Sequence, residues 1–280
     1  MSFFSKAAWL GIGRGTPKWV IILLGVLPFI GMIAAYVVGS DLRLAENPSD
    51  KLMPSFETMA ETFKRYAFEE DARKGTYLLY TDWVASMKRL LIGMFAAAFT
   101  GLVVGIAMGL FPYIRRLMLP FVTFWSIVPP LAILPILFIA FGVDELGKVM
   151  LIFLGSVWFI SRDLYAHVSA IPKEQIVKLL SFNASIFQVL YRAVMPQVLP
   201  RLIDSVRLTL GAAWLFLIAS EAIAATDGLG YRIFLVRRYL AMDVIIPYVA
   251  VITLTGFMLD SILRYANKWL FPWYVAMKRD

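Results

Sequence analysis

Apolar runs long enough to cross a lipid bilayer recur along this chain, at roughly 19–38, 90–111, 118–141, 149–161, 208–225 and 244–263. A hydrocarbon core of about 30 Å takes about 20 apolar residues in a helix. Backbone groups inside it must be satisfied without water, which a helix does within its own segment. The fourth run is short and is read as continuing through Ser161-Arg162-Asp163. The fold expected is an all-α integral membrane protein of about six transmembrane helices. Composition agrees: 16% of the residues are charged, against about 25% in soluble domains.

Charge orients the spans. Excess Lys and Arg collect on the cytoplasmic side. Lys6, Arg14 and Lys18 precede the first run, and Arg115 and Arg116 stand alone in the 112–117 turn. Segment 162–207 has six basic residues against three acids, whereas 41–82 has nine acids against six bases. Both termini and segment 162–207 are therefore expected in the cytoplasm. The 226–243 loop disagrees, with Arg232, Arg237 and Arg238 against Asp227 and Asp243 on the side read as external. The first run is longer than the core of a signal peptide and is read as a retained anchor. The organisation that follows is a cytoplasmic arm at 1–18, a first span at 19–38 and an external amphipathic segment at 39–82. A core domain at 83–265 and a cytoplasmic tail at 266–280 complete it.

Individual spans carry further patterns. Gly93, Ala97, Gly101, Gly105 and Gly109 recur every fourth residue and form one ridge on a helix. Small residues at that spacing let helix backbones approach closely in lipid. Pro129-Pro130 falls in mid-span and has two readings, a break beside a translocation pathway or a kinked structural helix. Glu221 lies near the outer end of span five, and intramembrane acids mark either a pathway or a partner. The structural alternative pairs it with an arginine such as Arg232, or with backbone at a helix end. Asp260 and Arg264 stand four apart and suit a local ion pair. In the external segment, Pro54-Ser55-Phe56-Glu57 reads as a helix start, and Tyr77–Arg89 as a second helix entering span two.

Several chemistries are excluded. The net charge of +8 is spread out, without a basic tract interleaved with aromatics, so no nucleic-acid partner is expected. Cysteine is absent, which removes disulfides and thiolate metal sites. The single histidine, His167, builds neither a multi-histidine metal site nor a Ser-His-Asp set, and is read as a surface or interface residue. The glycine-rich 11–18 lacks the spacing of a phosphate loop. No catalytic residue and no cofactor is expected in the chain, so uphill transport would draw on a partner or an ion gradient.

The longest polar break in the second half, around 173–200, has helix-like periodicity, a Phe-Asn-Ala-Ser interruption and prolines at Pro196 and Pro200. Asn183-Ala184-Ser185, followed by Met195-Pro196 and Leu199-Pro200, resembles the cytoplasmic coupling loop of permease subunits from ATP-binding-cassette importers. In that family the loop reads E-A-A-x-x-x-G-A-S. Val177, Lys178 and Leu179 depart from it, and Asn183 replaces the glycine, though asparagine tolerates a left-handed backbone. Ile127 to Pro135, Phe141-Gly142, Arg207-Leu208, Gly211 to Trp214, Glu221 and Gly228-Leu229-Gly230 are similar to the nitrate, sulfonate and taurine branch, over roughly 80–275. The run 221–244 is similar to permeases associated with urea-carboxylase or guanidine-related uptake.

The resemblance implies a type I importer permease in a bacterial inner membrane, working as a homodimer with two ATPases that bind ATP and Mg, and with a periplasmic binding protein. The coupling loop is then 166–201. Lys178, Phe182, Asn183, Ala184, Ser185, Phe187, Arg192 and Pro196 are expected at the ATPase contact, with Phe182, Phe187 and Leu190 as apolar knobs. The same apolar residues could instead pack on the permease itself. Pro129, Pro130, Trp158, Trp214 and Glu221 are expected on the translocation pathway. An oxyanion substrate needs basic or amide donors along it. A cation such as guanidinium suits Glu221 with Trp214 and Trp158, and the lack of basic residues within span five favours that choice. An ion-coupled secondary transporter and an intramembrane enzyme are the competing classes, each needing more polar groups inside the membrane.

Overall fold

The structure is a computed structural model that describes residues 17–71 and 75–277. The N-terminal arm up to residue 16, Ala72, Arg73, Lys74 and the last three residues lie outside the described residues. The described residues are helical, with no strand. A long α1 (Lys18–Glu46) leads to α2 (Phe56–Phe68) and then α3 (Leu78–Leu110). Next come α4 (Pro112–Ile127), a 3₁₀ turn (Pro130–Ile133), α5 (Leu134–Phe141) and α6 (Glu145–Ser169). A hairpin of α7 (Lys173–Ser181) and α8 (Ile186–Val189) passes through a π turn (Leu190–Val194) into α9 (Met195–Ala224). The chain ends in α10 (Leu229–Val236), α11 (Met242–Leu270) and α12 (Pro272–Met277).

Among the described residues five helices are long and apolar enough to cross a membrane, and the pair α4 and α5, bent by 87°, makes a sixth when taken as one span. The contact between α3 and α6 fixes how the chain runs. A Cβ on Gly93 would come within 2.8 Å of Ile152, one on Gly101 within 2.7 Å of Ile160, and one on Gly105 within 2.7 Å of Leu164. Gly109 meets Val168 in the same way, and Ala97 is fully buried between them. Residue numbers rise together on both helices, so α3 and α6 are parallel. Parallel neighbours joined by one connection need a return crossing, and α4 with α5 supplies it. Their bend has a local cause. A residue before proline is pushed out of the helical region, and here two such residues are consecutive. Val128 and Pro129 are both extended, with ψ of 123° and 117°.

The helices outrun the apolar windows. α3 begins at Leu78, α6 continues through Asp163 to Ser169, and α9 begins at Met195. Each extension is polar and is held by partners inside the bundle. Arg201 donates to Asp163 at 2.8 and 3.0 Å, Arg207 to Asp260 at 2.8 Å, and Asn267 to the Pro200 carbonyl at 3.0 Å. Arg264 reaches Asp260 as its sequence spacing suggests, at 2.6 Å.

The segment between α1 and α3 folds as a short cap. The Ser55 hydroxyl accepts from the Thr58 amide and starts α2. Thr62 donates to Asp243 at 2.9 Å, and Tyr66 packs edge-on against Tyr248, which pins the cap to α11. The cap also holds the end of α1, through Tyr36 to the Pro54 carbonyl and Ser40 to the Met53 carbonyl, both at 2.8 Å. Arg43 pairs with Asp50 and keeps that carboxyl below its ordinary pKa. The apolar length of α1 is otherwise uncovered by the rest of the chain. Arg232, counted above as a loop charge, lies in α10 and is buried against Asp82. The charge disagreement at 226–243 shrinks accordingly.

Gly105→Leu should destabilise the fold by at least about 1–3 kcal/mol, the usual cost of overpacking, because both Leu164 and the Ser161 carbonyl stand in the way. Gly31→Ala, which meets nothing within 4 Å, should unfold at the wild-type midpoint. Unfolding titrations in detergent compare the two. Equal midpoints would contradict the α3–α6 packing.

Candidate functional site

Three features can carry function: a cavity at the broken span, a charge network at one end of the bundle, on the side of the 41–82 cap, and an exposed hairpin at the opposite end. The cavity, about 240 Å³, opens where α4 breaks, and α6 and α9 form its other walls. Trp125, Ser126, Pro130, Trp158, Phe159 and Phe216 line it. Trp125 and Trp158 stack with centroids 6.3 Å apart, and Phe121 meets Trp158 edge-on. Gly155 gives Phe216 its place, since a Cβ there would overlap the ring. Ser126 donates to the Thr123 carbonyl and accepts from Arg162, both at 2.8 Å. Arg162 is exposed and one turn from Trp158 on α6, so the aromatic recess has a cation beside it.

Of the residues expected on a pathway, Pro130 and Trp158 line this cavity and Pro129 forms the break. Trp214 is elsewhere. It is buried between α9 and α11, packed on Gly256, and its indole N–H has no hydrogen-bond partner among the described residues. Glu221 is fully buried in the charge network rather than on the cavity wall.

That network grows from one stripe of α3. Asp82, Ser86 and Arg89 lie at i, i+4 and i+7 and continue the small-residue ridge toward the outer end. Arg89 donates to Glu221 at 2.8 Å, to Glu145 at 2.7 Å twice, and to Asp227 at 2.5 Å. Lys148 reaches Glu145 at 3.1 Å. Asp82 accepts from Arg232 at 2.7 Å and from the Tyr248 hydroxyl at 3.1 Å. Arg89, Lys148 and Arg232 thus face four acids. The start of α10 supplies the balance, as helix N-termini favour negative charge. The amides of Gly228, Leu229 and Gly230 donate to Asp82, Ser86 and Glu221. Gly228 has φ of +119°, and a Cβ there would sit 2.5 Å from the Glu221 carboxylate. Only glycine fits both the backbone and the space.

The structural reading of Glu221 offers an arginine such as Arg232 or backbone at a helix end; its arginine is Arg89, and the Gly230 amide supplies the backbone contact. Local spacing gives no access to a pair 132 residues apart. The polar stripe 82, 86, 89 running into the ridge is the sequence signal from which α3 could have been found as the partner. The network ties α3, α6, α9 and α10 together and leaves Glu221 with no free oxygen: Ser86, Arg89 and Gly230 occupy both.

At the inner end the hairpin is stiff for identifiable reasons. α7 stops at Asn183, whose φ is +57°. The Ala184 amide donates to the Leu179 carbonyl and the Asn183 amide to the Leu180 carbonyl, which closes the helix end. Two residues later Ser185 and Gln188 form a capping box that opens α8. Phe182 and Phe187 are 76% and 81% exposed. Val177, Leu180, Ile186 and Tyr191 are exposed as well, and so are Lys178 and Arg192. Ala184 is half-buried, and Leu190 turns inward onto the core formed by Val189, Val194 and Ile106. Pro196 stands in the first turn of α9 and lines a recess under the hairpin with His167 and Trp273. Gln197 and Gln175 bridge the base of the hairpin at 3.1 Å.

Similarity to known proteins was sought with this geometry in hand. The family model described as binding-protein-dependent transport system inner membrane component matches residues 92–274. The taurine transport system permease protein TauC of Escherichia coli (strain K12) is 37% identical over 196 residues, 70% of this chain and 71% of that protein. The putative aliphatic sulfonates transport permease protein SsuC of Bacillus subtilis (strain 168) is 26% identical over 263 residues, 93% of this chain and 90% of that one. A chain of the MetNI methionine ABC transporter, in an inward-facing conformation, shares the fold at 19% identity and a TM-score of 0.50, over 66% of this chain and 95% of that chain.

Removing Arg89 leaves Glu221 as an uncompensated buried charge, a loss of about 3–5 kcal/mol. Arg89→Met should therefore cost more than twice as much in the wild-type background as in a Glu221→Gln background. A double-mutant cycle on unfolding in detergent measures it. Equal costs in the two backgrounds would show that the pair is not coupled.

Proposed function

This chain belongs to the family of binding-protein-dependent transport-system inner-membrane components and is a permease subunit of an ATP-driven importer; on that footing we propose that the α7–α8 hairpin is the face it offers to a cytoplasmic ATPase. The observation that carries this reading is the exposed apolar cluster on a rigid turn, with Phe182 and Phe187 outermost. Aromatic side chains of that kind anchor protein interfaces. Lys178 and Arg192 are the rim charges. In this reading two ATPases supply the ATP and Mg chemistry. A second copy of the permease completes a homodimer, and both termini lie in the cytoplasm of an inner-membrane protein. A periplasmic binding protein delivers substrate to the opposite side.

The path from hairpin to outer end is one element. α9 spans Met195–Ala224 without interruption, about 45 Å at 1.5 Å per residue. It begins at the base of the hairpin, forms a wall of the cavity through Leu208, Thr209, Ala212 and Phe216, and carries Glu221 at its far end. Closure of the ATPases on the hairpin would move the cavity wall and the outer network together, which is the geometry that alternating access needs.

The substrate we favour is a small anion of the organosulfonate type. Glu221, the carboxylate that a cation would use, is already neutralised by Arg89. The cation beside the cavity is Arg162, and the relatives named above are a taurine and a sulfonate permease. An ion-coupled carrier is disfavoured on similar grounds: Asp82, Asp163, Asp204, Glu221 and Asp260 all have basic or hydrogen-bonding partners.

Phe187→Ser should weaken ATPase binding about 30-fold or more, the equivalent of about 2 kcal/mol at an interface anchor. Lys178→Glu should uncouple ATP hydrolysis from uptake in vesicles while the permease stays folded. Normal uptake and normal ATPase binding in both variants would reject the assignment. Arg162→Ala should lower uptake of a sulfonate at least tenfold with ATPase binding unchanged; unchanged uptake would remove Arg162 from the pathway.

A further inference from the structure

A second concave surface has a different chemistry from the cavity. Between the inner third of α3 and the start of the hairpin runs a groove of about 350 Å³, lined by Phe99, Val103, Ala107, Phe111, Ile186 and Leu190 among others. No polar or charged side chain lines it. From Phe99 to Phe111 the helix rises about 18 Å, close to the hydrocarbon depth of one leaflet, about 15 Å. Val103 is 54% exposed and Phe99 63%, so the groove opens outward from the bundle.

Its inner mouth is cationic. Arg115 and Arg116 follow within about one turn of Phe111, and Arg192 stands between Leu190 and Met195. Stretches 99–117 and 182–197 contain no aspartate or glutamate. Among the described residues none of these three arginines forms an ion pair; Arg115 lies over the Tyr165 ring, 5.7 Å from its centroid, with its Nε buried and without a hydrogen-bond partner. Tyr113 and Tyr191, at 86% and 78% exposure, flank the same level, where tyrosines mark the membrane–water interface. An apolar slot of leaflet depth ending in arginines that have no carboxylate partner, flanked by interfacial tyrosines, matches one amphiphile.

We propose that the groove is a binding site for one anionic phospholipid of the leaflet on the hairpin side. An acyl chain lies along Val103 and Ala107, and the phosphate sits on Arg115 and Arg116. Juxtamembrane arginines recognise such headgroups by charge. Because Ile186 and Leu190 belong to the hairpin, the lipid braces the hairpin against α3. The site stands on α3 and on the arginines of the first turn of α4, and does not depend on what the outer face of the hairpin binds.

The test uses the permease purified with its ATPase in mild detergent and exchanged with an equimolar mixture of phosphatidylglycerol and phosphatidylcholine. Mass spectrometry then counts the lipid retained per permease chain. Phosphatidylglycerol should be held at least fivefold over phosphatidylcholine. Ala107→Trp, which fills the groove, and Arg116→Glu, which reverses an exposed charge, should each cut that retention at least fivefold. If Ala107→Trp lowers the yield of folded complex, Arg116→Glu decides. Equal retention of the two lipids, or unchanged phosphatidylglycerol in Arg116→Glu, overturns the proposal. So does cross-linking of Val103→Cys to another protein chain, read cleanly because the chain has no cysteine of its own.

Discussion

The close parallel contact of α3 with α6 is the constraint on which the rest of the structure depends. In a bilayer no hydrophobic force draws one helix to another, so contact must come from fit and from polar pairing. Small residues on α3 provide the fit against Ile152, Ile160, Leu164 and Val168. Two parallel neighbours then require a crossing between them, and the crossing available contains Pro120, Pro129, Pro130 and Pro135. It cannot remain one helix. The break it forms, with α6 and α9 behind it, is what opens the aromatic cavity. The cavity is thus a consequence of helix packing and proline placement together.

The same stripe of α3 turns polar at its outer end, and there the energetics change sign. Charges buried together are costly to create and costlier to leave half-made. Arg89 meets three carboxylates, and the amides at the start of α10 take up the remainder. A closed set of this kind gains little stability over an apolar replacement. It does fix which helices meet, and at what height, because any slip leaves a charge unpaired. The hairpin at the other end follows the opposite logic, with apolar side chains held out in solvent by a capped and closed turn.

Much of the fold was legible in the sequence. The six spans, the ridge of α3, the helix start at Ser55 and the break at Pro129-Pro130 all rest on local rules of periodicity and backbone restriction. Asn183 was legible for the same reason, since few residues accept a left-handed backbone. What local rules cannot reach is pairing over distance. Arg89 with Glu221 and Arg232 with Asp82 join positions 132 and 150 residues apart, and hydropathy had placed Arg232 in a loop. The extensions through Asp82 and Asp163 were legible as helix, whereas the start of α9 was missed, because a buried pair of Arg201 with Asp163 carries that helix beyond its apolar window. Leu190, expected to face a partner, turns inward because the π turn redirects the chain into α9.

Cavity, network and hairpin lie along α9, and the account stands or falls on what the hairpin touches. The chain lacks cysteine, so Phe187→Cys introduces a single reporter at its most exposed aromatic. In membranes carrying the permease with its co-expressed ATPase, a short thiol-anchored photo-cross-linker, which inserts into any neighbouring side chain, should join this position to the ATPase in high yield. A cysteine at Ile139, also exposed but on α5, should give none. Failure of Phe187→Cys to reach the ATPase while it remains fully labelled by a soluble maleimide would contradict the account.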